Sequence, residues 1–214
     1  MSKKNIKAKV GLREKIFASL GKRLMYWRSK KIPKLLMNLS YREAIRLLVE
    51  LHGDLPSALE AIFNLALEAG PDFLNEWVER GSVIFSKYVG DHGIWIKAGY
   101  YSFVGDHIKY MKYIPPETEG EPHRVVWRID KCFLCSGIET DMSLPFPVTT
   151  DALRDHGWGT IIAGVFQATT RMINEYTGME FTTKVRETKC LLRGDPYSEF
   201  VAEFYPIEKD EQTT

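Results

Sequence analysis

Long hydrophobic runs are missing from this 214-residue chain. None approaches the ~18–20 consecutive apolar residues that a membrane span requires. The most apolar stretch, Trp158 to Phe166, is short and runs into Gln167. Cysteine is scarce as well. Cys132, Cys135 and Cys190 are the whole set, too few and too odd a number for the disulfide framework of a secreted module. The opening residues, MSKKNIKAKVGLREK, hold no apolar segment of the kind that directs secretion. These shortages together predict a cytoplasmic protein.

The usual catalytic signatures are also missing. There is no G-x-x-x-x-G-K-[ST] phosphate loop and no G-x-G-x-x-G after a strand, so nucleotide binding has no support. There is no G-x-S-x-G elbow and no H-E-x-x-H. His52, His92, His107, His123 and His156 are scattered, and the first two stand beside glycines, as helix-end or turn residues do. No residue set announces an enzyme.

Acidic residues are nearly absent from one end. Positions 1–46 carry fourteen Lys and Arg against only Glu14 and Glu43, although the whole chain is almost neutral. The rest is therefore acidic. Such asymmetry predicts a basic arm for an anionic partner, a nucleic acid, a membrane surface or an acidic protein, or an arm docked on the acidic body of the chain itself or of a second copy. Nothing signals nucleic acid strongly.

What is present is ordinary globular material, with 44% apolar and 12% aromatic residues. Residues 1–10 read as disordered and 11–35 as a basic helix. Leu12, Ile16, Phe17, Leu20, Leu24 and Trp27 recur at threes and fours there, with Lys15, Lys22, Arg23 and Arg28 among them. These make it the candidate membrane or partner arm. Ser40 and Glu43 form a capping box for a second helix that Gly53 closes. LPSALEAIFNLALEAG reads as a third helix ended by Gly70, and Pro71 opens a fourth. GIWIKAGYYSFVG, HIKYMKYIPP and HRVVWRIDKC are rich in aromatic and β-branched residues and predict an antiparallel meander. A long helix follows over about Thr150 to Tyr176, then strands Phe181–Leu192 and Ser198–Tyr205 around a Gly194-Asp195-Pro196 turn. The order predicts an α+β domain over 36–207, with a single antiparallel sheet covered by helices.

The cysteines are the chemical feature. DKCFLCSG places two thiols at a spacing that suits one metal ion. Cys190, on a strand of the same sheet, is a candidate third ligand, with His156 and Glu187 as candidates for the fourth. The alternative is that Cys190 is a small core side chain, since free cysteine is among the most buried residue types.

From Trp158 to Phe204 the chain resembles the 4-vinyl reductase domain family, in a long helix followed by RETKCLLRGDPYSEFVAEF. That family is typified by a C-terminal E-x-x-C, a Gly-Asp turn, a further cysteine eight residues after the first, and a closing Phe. It includes sensor domains of aromatic-responsive bacterial regulators and a bacteriochlorophyll biosynthesis protein. It shares its fold with subunits of the transport protein particle that tethers vesicles. The resemblance implies a homodimer, and a zinc ion held by cysteines and the motif's glutamate beside a hydrophobic cavity. Glu187 and Cys190 match the E-x-x-C, and Gly194 and Asp195 match the turn. The family's second cysteine falls on Ser198, a departure that the extra thiol of the C-x-x-C offsets. Its cysteine ahead of the long helix falls near His156, and its cysteine on the preceding strand falls on Cys132 or Cys135. The resemblance covers the C-terminal half, and the N-terminal helices match only in general character. One geometric demand follows. Glu187 and Cys190 are three apart and face opposite ways in a regular strand, so they can share one ion only across a bulge or a strand end.

The leading functional expectation is a non-catalytic, zinc-binding domain that takes a small hydrophobic ligand or a partner. Trp95, Tyr101, Phe103 and Trp127 are its candidate pocket residues. The alternatives are a dimeric assembly or membrane-tethering subunit, and a small-molecule hydrolase, which would keep an open water position on the metal.

Overall fold

The fold is that of a computed structural model, which describes residues 8–28, 33–138 and 144–207. The expectations for residues 1–7 and for the tail after 207 lie outside it, as do the side chains of Arg23, Trp27 and Arg28. Helices α1 (Leu12–Arg28), α2 (Lys34–His52), α3 (Leu55–Gly81) and α4 (His92–Val104) come first. Strands β1 (Tyr110–Ile114) and β2 (His123–Ile129) follow, then α5 (Thr160–Thr177), β3 (Phe181–Lys189) and β4 (Ser198–Pro206). The strands form one antiparallel sheet in the order β1-β2-β4-β3, so the expected α+β class with a single helix-covered sheet is what the chain adopts.

Local chemistry explains most of the boundaries. Gly53, Gly105 and Gly178 end α2, α4 and α5 in the left-handed region, at φ of 93°, 81° and 70°, which costs glycine little. The Asp54 side chain accepts from the Ser57 N–H at 2.8 Å and caps α3. Three expected boundaries are corrected. Helix α2 starts at Lys34, just after Pro33, which places Ser40 inside the helix and not at its cap. Helix α3 runs unbroken through Gly70 and Pro71. An interior proline costs a helical hydrogen bond, but here α3 lies tightly against α5: a Cβ on Gly70 would meet that of Ala168 at 2.6 Å. Helix α5 begins at Thr160, because residues 150–159 form turns that include Gly157-Trp158-Gly159.

The larger correction is α4. GIWIKAGYYSFV is a helix and not the first strand of a meander, so the sheet has four strands. Its buried residues, among them His92, Trp95, Ile96, Gly99 and Tyr100, cover a wide arc. A helix buried that broadly has no single apolar stripe, and its aromatic composition then imitates a strand.

Helix α5 packs on α3 and on β3, α2 packs on α3, and α1 packs on α4. Closeness at the α3–α5 crossing needs Gly164, where a Cβ would come within 2.6 Å of the Phe63 carbonyl oxygen. The inner face of the sheet carries Trp127 stacked on Phe200 (5.6 Å between centroids) and edge-on to Phe166 of α5 (5.1 Å). The outer face carries ion pairs between strands. Glu203 meets Arg186 at 2.9 Å and Arg124 at 3.4 Å, and Glu199 meets Arg128 at 2.8 Å. Helix α5 buries Thr169, Thr170 and Thr177, whose hydroxyls donate to the Val165, Phe166 and Ile173 carbonyls at 2.7 Å, so none is left unsatisfied.

His92 is buried between Phe204 (4.6 Å, edge-on) and Trp95. Burial pushes its pKa down to about 4, against the Asn174 and Val89 oxygens that favour the charged ring. An unfolded histidine titrates near 6.5, so the stability tied to neutral His92 is complete above about pH 6.5 and is lost as pH falls toward 4. The loss should be about 1.4 kcal/mol per pH unit and about 3 kcal/mol in all. Urea unfolding at steps from pH 7 to 4 should show this decline, shallower in His92→Gln. Parallel pH profiles for the two proteins would contradict it.

Candidate functional site

A cavity of about 400 Å³, partly open to solvent, lies among the helices. Helices α2, α3, α4 and α5 contribute to its wall. Helix α2 supplies Met37, Tyr41 and Ala44, and α3 supplies Ile62, Leu74 and Trp77. Helix α4 gives Trp95, Gly99, Tyr100 and Phe103, and α5 gives Ile161, Val165 and Phe166 among others. Phe133 and Leu134, between the two cysteines of the C-x-x-C, close one side. The wall is almost wholly apolar. Among the described residues its only ionisable side chains are Tyr41 and Tyr100, and burial pushes both phenols up, so they stay neutral.

Of the expected pocket residues, Trp95 and Phe103 line this cavity. Trp127 is packed into the core beneath it, against Phe166 and Phe200. Tyr101 turns away, with its ring 4.6 Å from that of His107 and the Lys22 ammonium over its face at 5.5 Å. Trp77 is a wall residue that the sequence pattern did not single out as pocket-forming, since it sits on a helix whose amphipathic spacing marks only a core face.

Directly behind Phe133 and Leu134 is a polar nucleus. Cys132, Cys135 and Cys190 are all buried and unoxidised. The Cys135 thiol lies against those of Cys132 and Cys190, and that proximity lowers Cys190, with help from the Trp158 N–H and the Arg193 charge, and lowers Cys132, while Cys135 is pushed up. Thiols that lean toward thiolate are nucleophiles and metal ligands.

Glu187 stands beside them, its carboxyl pushed well up by burial and then by the neighbouring Cys190 and Cys132. The sheet register shifts between Glu187 and Lys189. That irregularity supplies the change of direction that lets Glu187 and Cys190 approach one place, as their spacing demanded. Gly157 and Gly159 make room for the carboxylate: a Cβ on Gly157 would stand 2.1 Å from Oε2. The Gly159 N–H donates to Oε2 at 2.8 Å, whereas Oε1 is buried without a hydrogen-bond partner. Ser198 lies close by, and its buried hydroxyl is also without one.

Trp158, between those glycines, organises the nucleus. Its N–H donates to Cys190 Sγ at 3.4 Å, its indole N–H donates to the Leu134 carbonyl at 2.9 Å, and its own carbonyl accepts from the Tyr41 hydroxyl at 2.6 Å. Asn38 of α2 adds donations to the Phe133 and Leu134 carbonyls at 2.6 and 3.0 Å. Only the Gly-Trp-Gly ahead of α5 could have signalled this from sequence. His156 takes no part in it. Its ring packs on Phe63, 5.6 Å away, and its Nδ1 shares a 3.0 Å hydrogen bond with Thr160 Oγ1. Among the described residues, no group of three or more His, Cys, Asp or Glu side chains is arranged to hold a metal ion.

Helix α1 is fixed at its start. The Val10 N–H donates to the buried Asp91 carboxylate at 2.8 Å, and Lys9 lies 4.7 Å over the Tyr88 ring. Lys15 is exposed. Among the described residues, no helix is long and apolar enough to cross a membrane.

No family model matches the chain, so membership of the 4-vinyl reductase family is not established, and no curated protein matches it either. Among the solved structures to which the chain is similar, two are informative to compare. One is the phenol-responsive sensory domain of the transcription activator PoxR with phenol, at 13% identity and a TM-score of 0.48, covering 86% of this chain and 79% of that one. That likeness is too slight to bear weight. The other is trafficking protein particle complex subunit 3 from Naegleria fowleri, covalently bound to palmitic acid. It aligns at 17% identity and a TM-score of 0.59, over 84% of this chain and 100% of that one. The chain therefore has the fold of the trafficking particle subunits.

Proposed function

We propose that this chain is a non-catalytic binding domain for a small apolar molecule, held in the cavity between α2, α3, α4 and α5. The apolar cavity of about 400 Å³ carries this reading; its size is within the range of small-molecule sites. With no cation and no carboxylate on the wall among the described residues, the part of a ligand that enters is uncharged. The palmitic acid bound to the Naegleria subunit supports an acyl chain as one ligand class, and the aromatic wall suits a fused ring as another. Trp77 and Trp95 make the cavity self-reporting. Titration with naphthalene or with palmitate should give a saturable change in intrinsic fluorescence. Ala44→Phe, which fills the space, should weaken it at least tenfold. No saturable response to either probe would contradict the reading.

A second reading concerns the thiol nucleus, and the unpartnered Glu187 Oε1 beside three buried sulfurs carries it. Three thiols and a carboxylate are a donor set suited to zinc. Cys132, Cys135, Cys190 and Glu187 would hold the ion, and zinc there would tie the loop after β2 to the end of β3. Elemental analysis of protein purified without added metal should find about one zinc per chain, lost in Cys190→Ser. Folded, metal-free wild-type protein would contradict this.

A homodimer belongs to the same proposal. Leu35, Leu36, Leu39, Leu47 and Leu51 of α2 are all at least half exposed, a row that burial against a second copy would remove from water. Light scattering should give twice the 24.6 kDa chain mass. A monomer at tens of micromolar would contradict it.

A further inference from the structure

The outer side of α1 is apolar and uncovered. The helix docks on α4 and buries Ala18, while Leu12, Ile16, Phe17 and Leu20 remain 75%, 51%, 71% and 65% exposed. Positions 12, 16 and 20 follow one another by four, and 17 adjoins them, so the four make one stripe on the side away from Ala18. Large neighbouring apolar side chains left in water mark an interaction surface. Ala18 on the docked side is small, whereas these four larger side chains face away from the domain.

Charge identifies what that is. Residues 1–31 hold eleven Lys and Arg against the single Glu14, and Arg13 and Lys15 are exposed beside the stripe. Two such helices brought face to face would set like charges together, which disfavours a second copy as the cover. An apolar stripe flanked by basic residues is instead the composition of a helix that lies in a membrane interface, its apolar side among the headgroups and its cations toward anionic lipid. We propose that the outward face of α1 docks on an anionic lipid surface. The helix lies along the surface, since it lacks the length and apolarity to cross. The Val10–Asp91 hydrogen bond and the Lys9–Tyr88 contact hold it already folded, so docking incurs little ordering cost. This proposal is independent of what the cavity holds.

The test is co-sedimentation of the full chain with vesicles of phosphatidylcholine alone or with 30% phosphatidylserine, at low and high salt. Binding to the anionic vesicles should be at least tenfold tighter than to the neutral ones, and high salt should weaken it at least tenfold. Phe17→Ser with Leu20→Ser should reduce anionic-vesicle binding at least tenfold at unchanged circular dichroism and melting temperature. Arg13→Glu with Lys15→Glu should reduce it by several-fold. Absence of binding to anionic vesicles at low salt would overturn the proposal, as would a Phe17/Leu20 variant that binds normally. Two further results would overturn it in favour of another occupant. One is a wild-type dimer that the Phe17/Leu20 variant converts to monomer without change in vesicle binding. The other is capture by polyglutamate at low salt as tight as by the anionic vesicles.

Discussion

The buried Trp158 holds three parts of the chain to one point, and the site is arranged around it. Its N–H reaches Cys190 at the end of β3, its indole N–H reaches Leu134 in the loop after β2, and its carbonyl takes the Tyr41 hydroxyl from α2. Each is a buried polar group that would otherwise go unpaired, at a cost of about 1–3 kcal/mol apiece. Satisfying them sets where α5 begins, where the cysteine loop lies and which side of α2 faces inward. The cavity is the space those positions leave. Its wall at Phe133 and Leu134 is held by the same hydrogen bonds, with Asn38 reinforcing them, so cavity and thiol nucleus are two faces of one loop.

How much of this was legible in the sequence depended on the kind of burial. β3 alternates strictly, with Thr183, Val185 and Glu187 inward and Lys184 and Arg186 outward, and an element with one wet face shows its period plainly. Gly53 was legible as a helix end for a local reason, a left-handed residue that side chains resist. Helix α4 was not, because burial over a wide arc erases the stripe that marks a helix. Nor was the continuity of α3 through Pro71, since that depends on Gly70 meeting α5, a contact between residues nearly a hundred positions apart. The bulge that brings Glu187 toward Cys190 was legible as a requirement of spacing, but the Gly157–Gly159 cradle that receives the carboxylate was not.

The surfaces divide the work among themselves. The outer face of the sheet is knit by ion pairs such as Glu203 with Arg186 and Arg124. Partly exposed pairs of this kind contribute little stability, about 0–1 kcal/mol each, but they keep that face wet and unattractive to other sheets. The apolar surface left uncovered is concentrated on α1 and α2, at the basic end of the chain. The apolar interior space is enclosed by α2 to α5. The cavity inside and the exposed apolar sides of the N-terminal helices can therefore change independently, except at α2, whose inner side lines the cavity while its outer leucines face water.

Whether the space among α2, α3, α4 and α5 is a dry, ligand-ready cavity can be read without knowing its ligand. Xenon enters apolar cavities and leaves water-filled polar ones alone. Crystals pressurised with xenon should show the atom bounded by Trp77, Trp95, Phe103 and Phe166. A site filled instead by ordered, hydrogen-bonded water, or closed by side chains with no xenon, would contradict the claim that the domain is built around an apolar binding cavity.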